Sequence, residues 1–118
     1  MNLNIKIKTG CDLVDLRKFR KVLDKGGEKF LSKVFTEHEL LMSESVESRA
    51  GIFAVKEAVT KALNLKNDFW KKIEISKDKR GKPMLNLTDI NLKILSQDIS
   101  ISHDGNYALA CCSFLIES

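Results

Sequence analysis

The 118-residue chain predicts an α+β fold in which a mostly antiparallel sheet packs against one long helix. Three observations carry that expectation. Between about Glu47 and Leu63, the residues Ile52, Val55, Val59, Ala62 and Leu63 recur at helical spacing and make an apolar stripe. Near the C-terminus, Ile99 and Ile101 alternate with polar residues up to Ser102-His103. Asp104-Gly105 is then a hairpin signal before an apolar return strand from Tyr107 to Ile116. The order along the chain is strand, helices, hairpin, short helix, hairpin.

The elements are justified in turn. Ile5 and Ile7 alternate with Lys6 and Lys8, as in a short, half-buried strand, and Asp12 falls where strand gives way to loop. Asp15 is placed to N-cap a helix with the stripe Leu16, Phe19, Val22 and Leu23. Gly26-Gly27 stops that helix, because glycine accepts the left-handed conformation at a helix end. Phe30, Leu31 and Val34 mark a further short helix. Thr36-Glu37-His38-Glu39 reads as a capping box, in which a hydroxyl and a carboxylate satisfy each other's orphan amides, and a helix follows from about Glu37 to Ser43. After the long helix, Ile73 and Ile75 mark a strand and Asp78-Lys79-Arg80-Gly81 a turn. Met84 to Leu87 form the partner strand, and Leu92 to Leu95 a short helix.

Length and composition bound the function. Residues 1–118 are expected to form a single domain that buries roughly two-thirds of its unfolded surface. Hydrophobic residues at 43% and charged residues at 31% are a globular balance, not a disordered one. No apolar run approaches a membrane span, and Met1-Asn2-Leu3-Asn4-Ile5-Lys6 has no apolar core of a signal peptide, so no membrane association is expected. Three cysteines, two of them adjacent, make a poor disulfide framework, and His38 and His103 lack zinc-ligand spacing. Cys111 and Cys112 read as strand residues, and a reducing cytoplasm is the expected compartment. The formal charge of +4 favours polyanionic partners. A basic, non-catalytic module binding nucleic acid or an acidic protein is the rival reading. Aromatics at 7%, with one Trp and one Tyr, argue against base stacking, and no nucleic-acid partner is expected.

The chemistry-bearing residues have alternatives of their own. Glu57 and Lys61 lie off the apolar stripe, four residues apart on the long helix. A hard cation takes oxygen ligands such as Glu57, and a phosphate takes a cation such as Lys61. The plain alternative is a helix-surface ion pair. Lys56 points about 100° away from Glu57 and reads as a solvated or stem-packed lysine. Asp12 is either a turn residue or a carboxylate that joins Glu57 from a separate element, and Mg²⁺ typically takes one or two protein carboxylates. His103 is in phase with Ile99 and Ile101, so it is either a partly buried core histidine or a site residue. Arg17, Lys18, Lys21 and Lys25 fall on one broad helix face, either solvated or a landing surface for an acidic helix.

Thr9-Gly10-Cys11-Asp12-Leu13-Val14-Asp15, Phe53-Ala54-Val55-Lys56-Glu57-Ala58, Gly81-Lys82-Pro83 and Ser100-Ile101-Ser102-His103-Asp104-Gly105 occur in that order. With these motifs the chain resembles the holo-acyl-carrier-protein synthases, the small 4'-phosphopantetheinyl transferases, from about residue 5 to residue 116. The resemblance implies transfer of the phosphopantetheine arm of coenzyme A to a serine of an apo-acyl carrier protein, with release of adenosine 3',5'-bisphosphate. It implies Asp12 and Glu57 as ligands of Mg²⁺, with Lys61 beside them to steady the leaving group; these three form the catalytic set. Glu57 or water on the metal would take the serine proton. Lys61, Lys82, Pro83, Ser102 and His103 are implied as coenzyme A residues, and Arg17, Lys18, Lys21 and Lys25 as the carrier-protein surface. A homotrimer with sites between subunits, a cytoplasmic location and a role in fatty acid biosynthesis are implied as well. Where the family often has arginine this chain has Ile52, and Arg49, one turn earlier, is a candidate replacement. Asn64-Leu65-Lys66 stands where the family often has Gly-Thr-Gly, and Lys18 where it commonly has arginine.

Overall fold

In the computed structural model, which describes residues 4–117, strand β1 runs Ile5–Asp15 and leads directly into helix α1, Leu16–Val34. The start of the segment read for a leader, residues 1–3, lies outside the described residues. Helices α2 (Glu37–Met42) and α3 (Val46–Leu63) follow, then a 3₁₀ turn over Asn67–Lys72. Strands β2 (Ile73–Lys77), β3 (Pro83–Leu87), β4 (Lys93–Asp104) and β5 (Tyr107–Glu117) complete the chain. All strand pairs are antiparallel. They form a three-stranded sheet in the order β1-β5-β4 and a separate β2-β3 ladder. The α+β expectation holds, with the sheet in two pieces. Among the described residues no helix is long and apolar enough to cross a membrane.

Two elements differ from the sequence reading. β1 is not short: it pairs with β5 along eleven positions, and Asp12 sits inside the ladder opposite Ala110 rather than in a loop. Ile5 and Ile7 are exposed, Ile7 at 73%, because their side of the sheet faces away from α3. Leu92 to Leu95 is not a helix; all of it but Leu92 belongs to β4. A register shift between Ile94 and Ser96 inserts an extra residue there. The bulge moves the inward phase by one residue, so that Ile94 and Ile99 both oppose inward β5 residues and the period-2 pattern is hidden. Lys93 closes this end through an ion pair with Glu117 at 2.8 Å.

The helices follow their expected signals. Asp15 Oδ1 accepts from the Arg17 amide at 2.9 Å and caps α1. α1 breaks at Gly27, which adopts φ 52°, and then continues to Val34, so the two expected helices are halves of one kinked element. The Thr36–Glu39 capping box is complete in both directions. The stripe of α3 is buried, with Val55 and Val59 fully inaccessible. Ala54, Ala58 and Ala62 are also buried and keep the helix thin where β1 crosses it. At that crossing a Cβ added to Gly10 would lie 1.9 Å from the Ala58 carbonyl oxygen, so only glycine permits the approach.

Lys56 is not a solvated lysine. It is 0% exposed and pairs with the equally buried Glu39, Nζ to Oε1 at 2.8 Å. Nζ also donates to the carbonyls of Trp70 (2.7 Å) and Ile73 (2.6 Å), which uses all three of its protons. Glu39 Oε2 accepts from the Ile75 amide at 2.8 Å. Desolvation pulls the Lys56 ammonium below its ordinary range, and the Glu39 carboxylate opposes that shift. The 100° offset from Glu57 therefore turns Lys56 into the protein, where it ties α3 to α2 and β2. Cys111 and Cys112 are strand residues as expected, and burial pushes the Cys112 thiol up to about 11.

Two outcomes are expected from this packing. Gly10→Ala should cost about 3 kcal/mol in urea unfolding, because the added carbon meets backbone that cannot rotate away. A loss below about 0.5 kcal/mol, the level of an ordinary surface change, would show that β1 can lift off α3 freely. Lys56→Met should cost about 3–5 kcal/mol by leaving the Glu39 charge buried without its partner.

Candidate active site

Side chains alternate along β1, so Gly10, Asp12 and Val14 face α3 while Cys11 and Leu13 face outward. The close crossing at Gly10 brings Asp12 against the last turns of α3. Lys61 Nζ donates to Asp12 Oδ1 at 2.9 Å and to the Cys11 carbonyl at 3.2 Å. Lys61 thus reaches across to the strand rather than back along its own helix to Glu57. The hydrogen bond and the charge of Asp12 raise the Lys61 ammonium above its ordinary range.

Glu57, one turn before Lys61, accepts from Trp70 Nε1 through Oε1 at 3.2 Å. Desolvation raises the Glu57 carboxyl above the usual carboxylate range. The Trp70 hydrogen bond opposes the shift, the Asp12 charge adds to it, and Lys61 opposes it. Asp12 and Glu57 both line a pocket of about 420 Å³. Phe19, Phe30 and Phe53 form its apolar wall, with ring centroids 5.6–6.0 Å apart, and Lys18 stands at its edge.

The donor set can be tested against a metal. Among the described residues no group of three or more His, Cys, Asp or Glu side chains is gathered to hold one. A pair of carboxylates on separate elements still fits Mg²⁺, which keeps several waters and takes substrate phosphate as further ligands. The Asp12 charge disfavours ionisation of Glu57, and a cation between the two would relieve that repulsion.

A second pocket of about 200 Å³ lies where α3 meets β4 and the β2–β3 turn, and Ile52, Gly81, Pro83 and His103 line it. His103 is exposed rather than half-buried, and its Nε2 lies 2.9 Å from the Glu47 carbonyl. The structure thus brings Pro83 and His103 together, while Lys61 is paired with Asp12, which lines the first pocket. Lys82 pairs with Asp98 at 2.9 Å, and Ser102 faces the opposite side of β4 from His103. Neither is among the residues lining this pocket.

The basic face lies on α1 ahead of its break at Gly27. Lys18, Lys21 and Lys25 are exposed, while Arg17 pairs with Asp15 at 3.0 Å and donates to the Tyr107 hydroxyl at 3.3 Å. Arg49 does not point to the second pocket. Its guanidinium donates to the carbonyls of Ser43 (2.8 Å) and Leu40 (3.4 Å) at the end of α2. Ile52 is a core residue, 3% exposed, that also walls the second pocket.

With this geometry in hand, residues 8–112 match the family model described as the 4'-phosphopantetheinyl transferase superfamily. The chain belongs to that superfamily. Among relatives of this phosphopantetheinyl transferase, a holo-[acyl-carrier-protein] synthase of Nautilia profundicola is 38% identical over 90% of this chain and 97% of its own length. One of Thermodesulfovibrio yellowstonii is 43% identical over 86% of this chain and 91% of its own. A Helicobacter pylori holo-[acyl-carrier-protein] synthase solved in complex with coenzyme A superposes with TM-score 0.77 at 31% identity, covering 93% of this chain and 99% of that one.

Sequence reasoning did not find Trp70 as the partner of Glu57, nor the aromatic wall. Trp70 is the sole tryptophan of the transferase. Its buried-side N–H needs an acceptor, and that was the available signal. The Ile52 geometry yields a further expectation. Ile52→Arg should lower stability by about 2 kcal/mol or more, read by thermal melt, because the core offers the guanidinium no partner. An unchanged melt would show that the new side chain swings into the second pocket instead.

Proposed function

We propose that this transferase is a holo-[acyl-carrier-protein] synthase working with Mg²⁺ held by Asp12 and Glu57. It moves the 4'-phosphopantetheine arm of coenzyme A to a serine of an apo-acyl carrier protein and releases adenosine 3',5'-bisphosphate. The observation that carries this reading is that Asp12 and Glu57 line one pocket, with Lys61 paired to Asp12, in a chain of this superfamily. When bound, the cation would neutralise charge on the pyrophosphate. Lys61 has two of its three ammonium protons on Asp12 and Cys11, which leaves the third for a phosphate oxygen of the leaving group. The serine oxygen attacks phosphorus as the bond to the leaving phosphate breaks, and positioning and charge do most of the work in such a transfer.

The carrier would land on Lys18, Lys21 and Lys25, with Arg17 beside them, since Lys18 also borders the pocket that holds the carboxylates. Pro83 and His103 would contact coenzyme A from the second pocket, with Lys82 next to Pro83 in the chain and Ser102 contributing from the other side of β4. A homotrimer is part of the proposal. The outer face of the β1-β5-β4 sheet carries exposed apolar side chains, Ile7 at 73% and Leu13 at 60%, of the kind that further copies of the chain would cover. In such an assembly His103 of one copy would serve the site of its neighbour. Three free cysteines suit a reducing cytoplasm, where the product would enter fatty acid biosynthesis.

The direct test is incubation with coenzyme A, Mg²⁺ and an apo-carrier, read by intact mass. The carrier should gain one phosphopantetheine; an unmodified carrier would leave only a binding role. Glu57→Gln should keep the fold and lose at least about a hundredfold in turnover. Full activity in that variant would remove Glu57 from the site. Reversing Lys18 and Lys21 to Glu should raise the KM for the carrier and leave that for coenzyme A nearly unchanged, because surface charges act on association. Equal effects on both substrates would refute the carrier surface.

A further inference from the structure

Lys56 and Glu57 are adjacent in the chain and grip one residue at both ends. Lys56 Nζ holds the backbone carbonyl of Trp70 at 2.7 Å, and Glu57 Oε1 holds its indole N–H at 3.2 Å. The ring between these two anchors packs against Phe53, centroids 6.4 Å apart, and lies under the Lys33 ammonium at 5.8 Å. An indole N–H only donates, so it fixes which carboxylate oxygen it meets. Glu57 is half-buried on a rigid helix, and the indole is the hydrogen bond that orients its carboxylate. The buried Glu39–Lys56 pair sits behind this arrangement and holds the 3₁₀ turn that carries Trp70.

We infer that Trp70 is a positioning residue for the metal site: its N–H holds Glu57 Oε1 so that the other carboxylate oxygen is presented to the cation. This rests on the reading that Asp12 and Glu57 bind a divalent cation. Outer partners that orient a ligand typically matter by about ten- to a hundredfold in metal affinity.

The test uses Mn²⁺ alone as probe, with affinity read by electron paramagnetic resonance on the intact chain. Trp70→Phe removes the N–H and keeps a ring against Phe53. Benzothienylalanine at position 70 keeps the whole bicyclic shape and lacks only the N–H, so it carries the test if the phenylalanine variant does not fold. Both should melt near the parent temperature, bind Mn²⁺ about tenfold more weakly, and need correspondingly more Mg²⁺ for half-maximal rate. Glu57→Gln is the reference and should weaken Mn²⁺ binding further. If Glu57→Gln weakens Mn²⁺ while benzothienylalanine binds it as the parent does, the positioning role is overturned and the metal reading stands. If Glu57→Gln binds Mn²⁺ as the parent does, the metal reading falls and takes this inference with it.

Discussion

β1 and α3 approach at Gly10 to a distance that no side chain could share, with the Ala58 carbonyl 1.9 Å from where a β-carbon would stand. The site depends on that approach. Asp12 is the next residue of β1 to face the helix, and the crossing sets it within hydrogen-bonding reach of Lys61. Ala58 itself follows Glu57, so the contact that fixes the strand also fixes how far Asp12 stands from Glu57. Small residues line the rest of the seam: Ala54, Ala58 and Ala62 on α3, and Ala108 and Ala110 on the central strand β5. A larger residue at any of these positions would push sheet and helix apart beside the pocket that Asp12 and Glu57 line.

The opposite side of α3 is held by a buried ion pair set among closely packed apolar side chains. Residues 56 and 58 are about 200° apart around a helix, so Lys56 faces α2 and β2 while Ala58 faces β1. A buried ion pair is weak evidence of net stability, because both ions lose their water. Here it supplies direction. Glu39 completes a capping box, accepts the Ile75 amide and neutralises Lys56, so one carboxylate sets the start of α2, the edge of β2 and the roll of α3. The helix that carries Glu57 and Lys61 is thereby fixed in rotation as well as in distance.

Much of this was legible in the sequence where local rules govern. The capping box, the break at Gly26-Gly27, the stripe of α3 and the C-terminal hairpin all follow from short-range chemistry. The failures share a different cause. Lys56 looked solvated because nothing nearby in sequence reveals Glu39, seventeen positions earlier, or the carbonyls of Trp70 and Ile73. β1 looked short because its pattern stops being apolar at Thr9 and Gly10, although its ladder continues against β5. The start of β4 was hidden by a bulge that shifts its phase. The candidate site residues Asp12, Glu57 and Lys61 were visible as residue types in order. Their pairing was not, since a helix offers Glu57 as the nearer partner for Lys61 and only the fold offers Asp12.

The unbroken pairing of β1 with β5 has a consequence for how this chain tolerates changes of length. Asp12 faces the helix because it occupies an even step from Gly10, and the ladder holds that parity from Ile5 to Asp15. Deleting one residue between Gly10 and Asp12 would turn Leu13 inward and carry the carboxylate out of the site with every individual side chain still present. The exposed turn over residues 78–82 has no such bookkeeping, because the β2-β3 ladder on either side can keep its register while the loop grows. Within one small fold, some stretches are therefore locked in length and others are free to lengthen, and the boundary between them is set by which strand carries a candidate site residue in its alternation.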